Sequence, residues 1–166
     1  STTSNDIVIY GNFIHDNGDV NATFDQDTHG IGLGNGNNNV WVVDNEIYRN
    51  SGDGIQINGG RDAAIHHVYV GRNVSHHNKQ TGFWTKQARD VVFSQNTSYG
   101  HRPGNSSSGA GMGFQYGPER VWFLYNRIFD CETGISTGND NGLGFGQDSY
   151  YVGNVIHNIR STGTFN

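Results

Sequence analysis

The chain has 166 residues, of which only 33% are hydrophobic, while glycine occurs 25 times and proline twice. This composition predicts one domain with many turns between short strands, and it excludes a wide globular core. The net charge of −5 excludes the basic surface that nucleic-acid binding requires. No apolar run is long enough to span a membrane, and the single cysteine, Cys131, excludes an internal disulfide.

One sequence pattern recurs six times along the chain. Each copy has alternating β-branched or aromatic residues, an asparagine, a short apolar segment, a polar turn, and then a glycine that opens a second alternation. Alternation with a period of two predicts strands that turn one face inward, beginning with Ile7 and Ile9 in the first copy. The recurring residues, called the anchor asparagines, are Asn12, Asn45, Asn73, Asn96, Asn126 and Asn154, spaced 23 to 33 residues apart.

The anchor asparagines predict a ladder. If each copy is one coil of a stack, every anchor lies above its counterpart, and the amide side chains hydrogen-bond along the stack axis. A second recurring position lies five residues after each of the first five anchors and is filled in turn by Asn17, Asn50, Asn78, His101 and Cys131. The alternative is a globular β-sandwich with scattered asparagines, but the regular spacing favours a quasi-one-dimensional stack.

The segment NNNVWVVDNEIYRNSGDGIQI resembles the repeat of right-handed parallel β-helix proteins, the pectate-lyase-like superfamily. The resemblance covers nearly the whole chain and implies an all-β solenoid of about six coils with three short strands in each coil. Similar folds occur in polysaccharide lyases, hydrolases of acidic glycans, mannuronan epimerases and phage tailspikes. The resemblance also implies that the glycine-led strands form a third sheet, which carries the substrate groove in similar enzymes. These strands are residues 30–33, 54–57, 82–85 and 134–137.

Two coils are longer than the others between the anchor asparagine and the third strand. The extra residues are 18–29 in the first coil and 102–110 in the fourth. Both insertions leave the same edge of the predicted stack, where they would form walls with the second and third coils between them. Insertions on one face of a repeat protein commonly mark its binding face, although surface insertions are also tolerated without a function.

Strand alternation predicts which side chains lie on the groove floor. Gln56, Trp84 and Lys86 point outward, and Asp53 lies on the bordering turn. The register of the fourth coil is open: either Gly113 and Gln115 face outward, or Phe114 and Tyr116 do. Trp84 offers a stacking face for a sugar ring, the alternative being that a neighbouring loop covers it, and Lys86 offers a positive charge for a uronate or sulfate. The predicted substrate-binding residues are Trp84, Gln56, Asp53, Gln115 and Tyr116.

Four residues form the predicted catalytic set. Elimination or epimerisation of a uronate needs a base for the proton next to the carboxylate, and a cation or acid that neutralises the carboxylate. His77 or His101 together with Lys86 and Arg102 would supply these groups from the groove and its bordering turns. The alternative is that the histidines are ordinary polar turn residues and Lys86 a solvated lysine.

The first insertion contains Asp25, Asp27 and His29 at alternating positions. Carboxylate oxygens favour calcium, and an added imidazole favours a transition metal. The sequence requires no cofactor, and calcium is the candidate ion; the alternative is an acidic loop without a metal.

Two functions follow from these predictions. The first is an extracellular or cell-surface enzyme, a lyase or C5-epimerase, that acts on an acidic polysaccharide. The second is a non-catalytic solenoid segment that binds glycans or belongs to an adhesin or fibre. Neither function involves nucleic acid or a membrane. We also expect residues 1–166 to be an interior segment of a longer solenoid, whose open ends would lead to self-association.

Overall fold

The computed structural model describes residues 4–60, 65–138 and 147–164. Three parallel sheets of six strands each run the length of the molecule, and successive strands along the chain enter the three sheets in turn. Within the described residues, no helix is long and apolar enough to cross a membrane. The predicted all-β solenoid of six coils, with three strands in each coil, is therefore confirmed.

The strands are numbered in chain order. The first sheet contains β1 Ser4–Tyr10, β4 Asn37–Val43, β7 His66–Gly71, β10 Arg89–Ser94, β13 Glu119–Leu124 and β16 Gln147–Val152. The second contains β2 Phe13–His15, β5 Glu46–Tyr48, β8 Val74–His76, β11 Thr97–Tyr99, β14 Arg127–Phe129 and β17 Val155–His157. The third contains β3 Ile31–Leu33, β6 Ile55–Asn58, β9 Phe83–Lys86, β12 Ala110–Gln115, β15 Thr133–Gly138 and β18 Thr162–Thr164.

Left-handed backbone bends recur at fixed places in the coils. Residues six before, one before and four after each anchor asparagine have positive φ, and the non-glycine residues among them have φ between 50° and 58°. The position before the anchor, for example, is occupied by Asp44, Arg72, Gln95 and Tyr125 in the four central coils. A left-handed L-residue costs roughly 1–2 kcal/mol, so stacking against neighbouring coils must hold these bends.

The core is a narrow column of inward-facing side chains. Val40, Val68, Val91 and Val121 occupy equivalent positions in the first sheet and are almost fully buried. Two positions further along, the Phe93 and Phe123 rings stack with their centroids 5.3 Å apart. Each coil therefore buries its apolar face only against the coils above and below, as in other solenoids.

The anchor asparagines form the predicted ladder along the whole stack. At each central step, the backbone N–H of one asparagine donates to the Oδ1 atom of the next at 2.9 Å, as between Asn45 and Asn73. The Nδ2 group donates to the same oxygen and also to a backbone carbonyl of the preceding coil. The predicted stacking of Asn45, Asn73, Asn96 and Asn126 is confirmed, because these bonds link them in sequence.

Candidate functional site

The outer face of the third sheet carries two rows of side chains. One row runs through Gln56, Trp84, Gly113 and Ser136, and the other through Asn58, Lys86, Gln115 and Gly138. Met112 and Phe114 are buried in the core, so Gly113 and Gln115 face outward in the fourth coil. Of the two registers left open by the sequence, the one that placed Phe114 and Tyr116 on the groove floor is therefore wrong.

Trp84 points outward but is covered, with only 7% of its surface exposed. Its indole lies across Gly113, where a Cβ atom would clash with the ring and with the backbone of Ser136. The indole N–H donates to Gln115 Oε1 at 2.8 Å. The prediction that Trp84 offers an exposed stacking face is therefore wrong, because the absence of a side chain at Gly113 lets the ring fold onto the sheet. Only part of the indole borders the open space above the floor.

The two insertions meet instead of standing as separate walls. Asn105 Nδ2 donates to the Thr23 carbonyl at 2.5 Å, so the fourth-coil insertion touches the first-coil insertion across the two coils between them. Gln80 lies beneath the junction, and its Nε2 group donates to Asp25, Asp27 and Ser106. The insertions therefore form one continuous rim along a single edge of the third sheet.

A cleft of about 250 Å³ lies between this rim and the floor of the third sheet. Its lining consists mainly of hydroxyl and amide groups. Lys86 supplies a cation, and within the described residues no other lysine or arginine lines the cleft. The lining residues are Asp53, Gln80, Thr81, Trp84, Lys86, Ser106, Ser107, Ser108, Gln115, Ser136 and Gly138.

Asp53 is a buried carboxylate that lines the cleft. It accepts hydrogen bonds from the Thr81 backbone N–H at 3.0 Å, from the Thr81 hydroxyl, and from Gln56 Nε2 at 2.7 Å. The backbone N–H of Asp53 donates to His29 Nδ1 at 2.9 Å, so the proton of a neutral His29 is on Nε2. Gln56 is also buried and does not line the cleft, and the Asp53 carboxylate is already occupied by three hydrogen bonds, so neither is the open contact residue that was predicted.

Lys86 is half-buried and lines the cleft. Its Nζ atom lies 5.8 Å from the centre of the Tyr116 ring, a cation–π distance. Tyr116 follows β12 with a φ of 62°, so it leaves the floor and lies beside Lys86. Among the described residues, no carboxylate forms a salt bridge with Lys86.

The remaining predicted catalytic residues do not reach the cleft. His77 and Arg102 line a separate depression with Val20, Lys79 and Pro103. Burial, reinforced by the charges of His76 and Arg102, lowers the pKa of His77. The Arg102 guanidinium is bound to Asp130 Oδ1 at 2.8 Å. The structure therefore separates these two residues from Lys86.

His101 is fully buried, so the prediction that it borders the groove is wrong. Its Nδ1 and Nε2 atoms lie 3.3 Å from the carbonyl oxygens of Asn78 and Ser75. The ring occupies the place that asparagine holds in the first three coils, and burial lowers its pKa to about 4. The burial of His101 follows from its position five residues after an anchor, which was already visible in the sequence, and does not require a catalytic role.

The predicted metal residues do not converge. Asp25 Oδ1 and Asp27 Oδ1 accept from the single amide of Gln80 at 2.6 and 2.9 Å, while His29 turns towards Asp53. Within residues 4–60, 65–138 and 147–164, no group of three His, Cys, Asp or Glu side chains is arranged to hold a metal ion. Calcium at this loop stays a prediction.

Two outer rows of side chains were not predicted from the sequence. The first, called the aromatic ribbon, lies four residues before the anchors and consists of Val8, Trp41, Tyr69, Val92, Trp122 and Tyr150. The second, called the ring column, lies three residues after the anchors and consists of His15, Tyr48, His76, Tyr99, Phe129 and His157. Neighbouring rings of the column stack at 4.7 to 5.2 Å. Both rows could have been predicted by aligning the six sequence copies and comparing the residues at each outward-facing position.

Comparison with known proteins identifies the architecture alone. The family model described as a right handed beta helix region matches residues 1–102 and again residues 30–165. Neither the curated proteins nor the solved structures gave a significant match.

Proposed function

Because this chain belongs to the right-handed β-helix family, we propose that it is a polysaccharide-binding solenoid that holds an acidic glycan in the cleft of the third sheet. The proposal includes an extracellular or cell-surface location, where such polymers occur. The single observation that carries it is the composition of the cleft, which combines hydroxyl and amide groups with the ammonium group of Lys86.

The chemistry of the cleft matches an acidic sugar. Ser106, Ser107, Ser108 and Thr81 present hydroxyl groups that can exchange hydrogen bonds with sugar hydroxyls. Lys86 supplies a positive charge that no described carboxylate neutralises, which favours a ligand with a carboxylate or sulfate group. Polar lining around a small concave site provides orientation and specificity more than bulk affinity.

Binding without turnover is favoured over catalysis by the placement of the other candidate residues. Of the four residues predicted to be catalytic, Lys86 alone lines the cleft. The one carboxylate lining it within the described residues, Asp53, already accepts three hydrogen bonds. A lyase or C5-epimerase is the second candidate function, and it is favoured by Tyr116 beside Lys86, since an amine and a phenol can act as base and acid on a uronate.

Titration calorimetry with polygalacturonate, alginate and an uncharged glucan tests the binding proposal. The acidic polymers should bind more tightly than the glucan, and rising salt should weaken them. Lys86→Gln should lower the affinity for the acidic polymer roughly tenfold, the effect of losing one charge-assisted contact. Lys86→Arg should retain most of it. Arg127→Gln, which removes the same charge from the second sheet, is the matched control and should have no effect.

Equal binding of acidic and uncharged polymers, or equal losses in Lys86→Gln and Arg127→Gln, would contradict the proposal. The same titrations with added calcium and with a chelator test the acidic loop. Calcium-dependent affinity that Asp25→Asn abolishes would place a cation there.

Incubation of the protein with uronate polymers distinguishes the second candidate function. A lyase generates unsaturated uronate ends that absorb in the ultraviolet, and an epimerase exchanges the C5 proton with deuterated solvent. Turnover that Lys86→Gln abolishes while binding is retained would establish catalysis and overturn the proposal of a binding protein.

A further inference from the structure

The aromatic ribbon is an exposed apolar row on the outer face of the first sheet, which is a different face of the solenoid from the cleft. Its members are paired in register from β1 to β16, so they form one line parallel to the stack axis. Trp41 is 56% exposed and Tyr150 is 45% exposed. Contiguous apolar surface that remains in contact with solvent marks an interaction site more often than a packing accident.

The ribbon contains two pairs of rings. Trp41 and Tyr69 lie with their centroids 5.4 Å apart at one end, and Trp122 and Tyr150 stack at 5.3 Å with nearly parallel planes at the other. Val92 occupies the coil between the pairs. Because valine is shorter than the rings on either side, it forms the floor of a depression of about 390 Å³. That volume falls within the range of ligand sites, about 300–1,000 Å³.

Charged side chains near the ribbon neutralise one another. At one edge Arg72 binds both carboxylate oxygens of Asp44 at 2.9 and 2.8 Å. At the other edge Arg120 binds both oxygens of Asp90 at 2.6 and 3.0 Å. The guanidinium groups hold the pKa of each aspartate below its usual value, so both pairs stay ionised and internally compensated near neutral pH. Both arginines beside the ribbon are therefore bound to carboxylates, and neither guanidinium is left free to attract an anion.

We propose that the aromatic ribbon is a second carbohydrate-binding surface, and that its ligand is an uncharged polysaccharide running along the stack axis. Pyranose rings have flat faces of C–H groups that stack on aromatic rings, and polar edges that hydrogen-bond to flanking groups. The two ring pairs serve as stacking platforms, and one sugar unit occupies the depression above Val92 beside the Asp90 carboxylate.

The ligand expected on the ribbon differs in charge from the ligand expected in the cleft. In the cleft, no described carboxylate forms a salt bridge with the Lys86 ammonium group, whereas the ribbon lies between closed ion pairs. Among the described residues, the guanidinium groups beside the ribbon are already bound to carboxylates, so an acidic polymer would gain no free cation there. The two faces therefore accept polymers of different charge, and the protein would bind an acidic and a neutral glycan together.

Tryptophan fluorescence tests the proposal because the chain has three tryptophans, of which Trp41 and Trp122 lie on the ribbon and Trp84 is buried. Iodide should quench the ribbon tryptophans selectively. Among the soluble probes hydroxyethylcellulose, xylan, galactomannan and starch, at least one should protect them from iodide and retard the protein in affinity electrophoresis. Trp122→Ala should weaken that retardation roughly tenfold, and Trp122→Phe, which keeps a ring, should weaken it less.

The matched control is Phe129→Ala, which removes a half-buried outward ring from the ring column on the second sheet. It should leave retardation unchanged, and thermal unfolding verifies that every variant is folded. Binding of alginate should also survive Trp122→Ala, so failure of the ribbon is distinguishable from failure of the cleft.

Three results would overturn the proposal. The first is that none of the four neutral polymers protects the tryptophans. The second is that Trp122→Ala binds them as well as the unaltered protein does. The third is that Trp122→Ala changes self-association in sedimentation velocity but not glycan binding, which would make the ribbon a protein interface.

Discussion

The two internal ladders of the solenoid differ in the number of coils over which asparagine continues. The anchor ladder consists of asparagine in all six coils, from Asn12 to Asn154. The second ladder runs from Asn17 through Asn50 to Asn78 and then changes, first to His101 and then to Cys131. Both occupy turns inside the same stack, so they differ mainly in the chemistry of their side chains.

The insertions do not explain where the second ladder stops. The first coil carries the insertion at residues 18–29 and keeps Asn17 in the ladder, with Nδ2 2.8 Å from Asn50 Oδ1. Asparagine and histidine differ in the number of hydrogen-bond donors and acceptors that their side chains offer. An asparagine amide accepts from one neighbour and donates to a carbonyl, whereas a neutral imidazole has one N–H for the two carbonyls that face His101. The carbonyl groups that face the second ladder are therefore less completely hydrogen-bonded from the fourth coil onward.

The largest effect should come from breaking the anchor ladder at its centre. Asn73→Ala removes the acceptor of both Asn45 donors and the donor to the Val42 carbonyl, all of them buried. Each unsatisfied buried group costs about 1–3 kcal/mol, so the free energy of unfolding should fall by about 4 kcal/mol in urea titrations. Asn58→Ala, at an exposed position, is the control and should change it by less than about 0.5 kcal/mol. Similar losses in both variants would refute the role of the ladder.

The next effect is a loss of stability in mild acid caused by His101. Its pKa is about 4 in the folded protein, whereas an unfolded histidine titrates near 6.5, so the unfolded chain binds more protons between these values. Stability should therefore be complete above about pH 6.5 and decline by about 3 kcal/mol as the pH falls towards 4. Urea titrations at several pH values measure this slope, and His101→Asn should flatten it. An equal slope in that variant would assign the loss to other groups, such as His77.

Extending the second ladder should stabilise the protein modestly. At neutral pH, His101→Asn restores an amide that can accept from the Asn78 backbone and donate to a carbonyl of the third coil. Asn78 makes the equivalent bonds, because it accepts from the Asn50 backbone N–H and donates to the Ile47 carbonyl. We expect a gain of about 1 kcal/mol, reduced by the smaller volume of asparagine. Thermal and urea unfolding at pH 7.5 measure the change. A clear loss would mean that the imidazole fills space that an amide leaves empty.

The smallest effect is expected at Cys131. The buried thiol is a weak donor, 3.4 Å from the Phe129 carbonyl and 4.0 Å from the Ser98 carbonyl. Cys131→Ser replaces it with a better donor of smaller volume, so the free energy of unfolding should change by less than about 1 kcal/mol. Burial raises the pKa of the thiol to about 11, so native protein should react slowly with iodoacetamide at pH 8. Rapid alkylation would show that the fifth coil opens readily.

The sequence was sufficient to predict the repeat but not the interactions between side chains of different coils. Alternating valines and regularly spaced asparagines set the inward faces, so the three sheets and the anchor ladder could be predicted. The covering of Trp84 depends on the neighbouring coil having a glycine at position 113, which is a contact between residues 29 positions apart. The junction of the insertions depends on a bond from Asn105 to Thr23 and leaves no periodic signal.

The burial of His101, in contrast, could have been predicted from the sequence. Its position five residues after an anchor was known, and the ladder of asparagines at the same position in earlier coils already indicated an inward side chain. A histidine was assigned to catalysis because of its chemistry, although its place in the repeat predicted burial. For repeat proteins, the column that a residue occupies is stronger information than its type.

The anchor ladder also has a mechanical consequence. Its hydrogen bonds, like those of the three sheets, point along the stack axis, and each coil is held mainly by its two neighbours. A pulling force applied between the ends would therefore detach coils one at a time rather than rupture the molecule in one step. The 23-residue interval between Asn73 and Asn96 would release roughly 80 Å of chain, and the 33-residue interval between Asn12 and Asn45 roughly 110 Å. A force–extension trace would then display the irregular coil lengths, including the extra length of the insertions, as unequal steps.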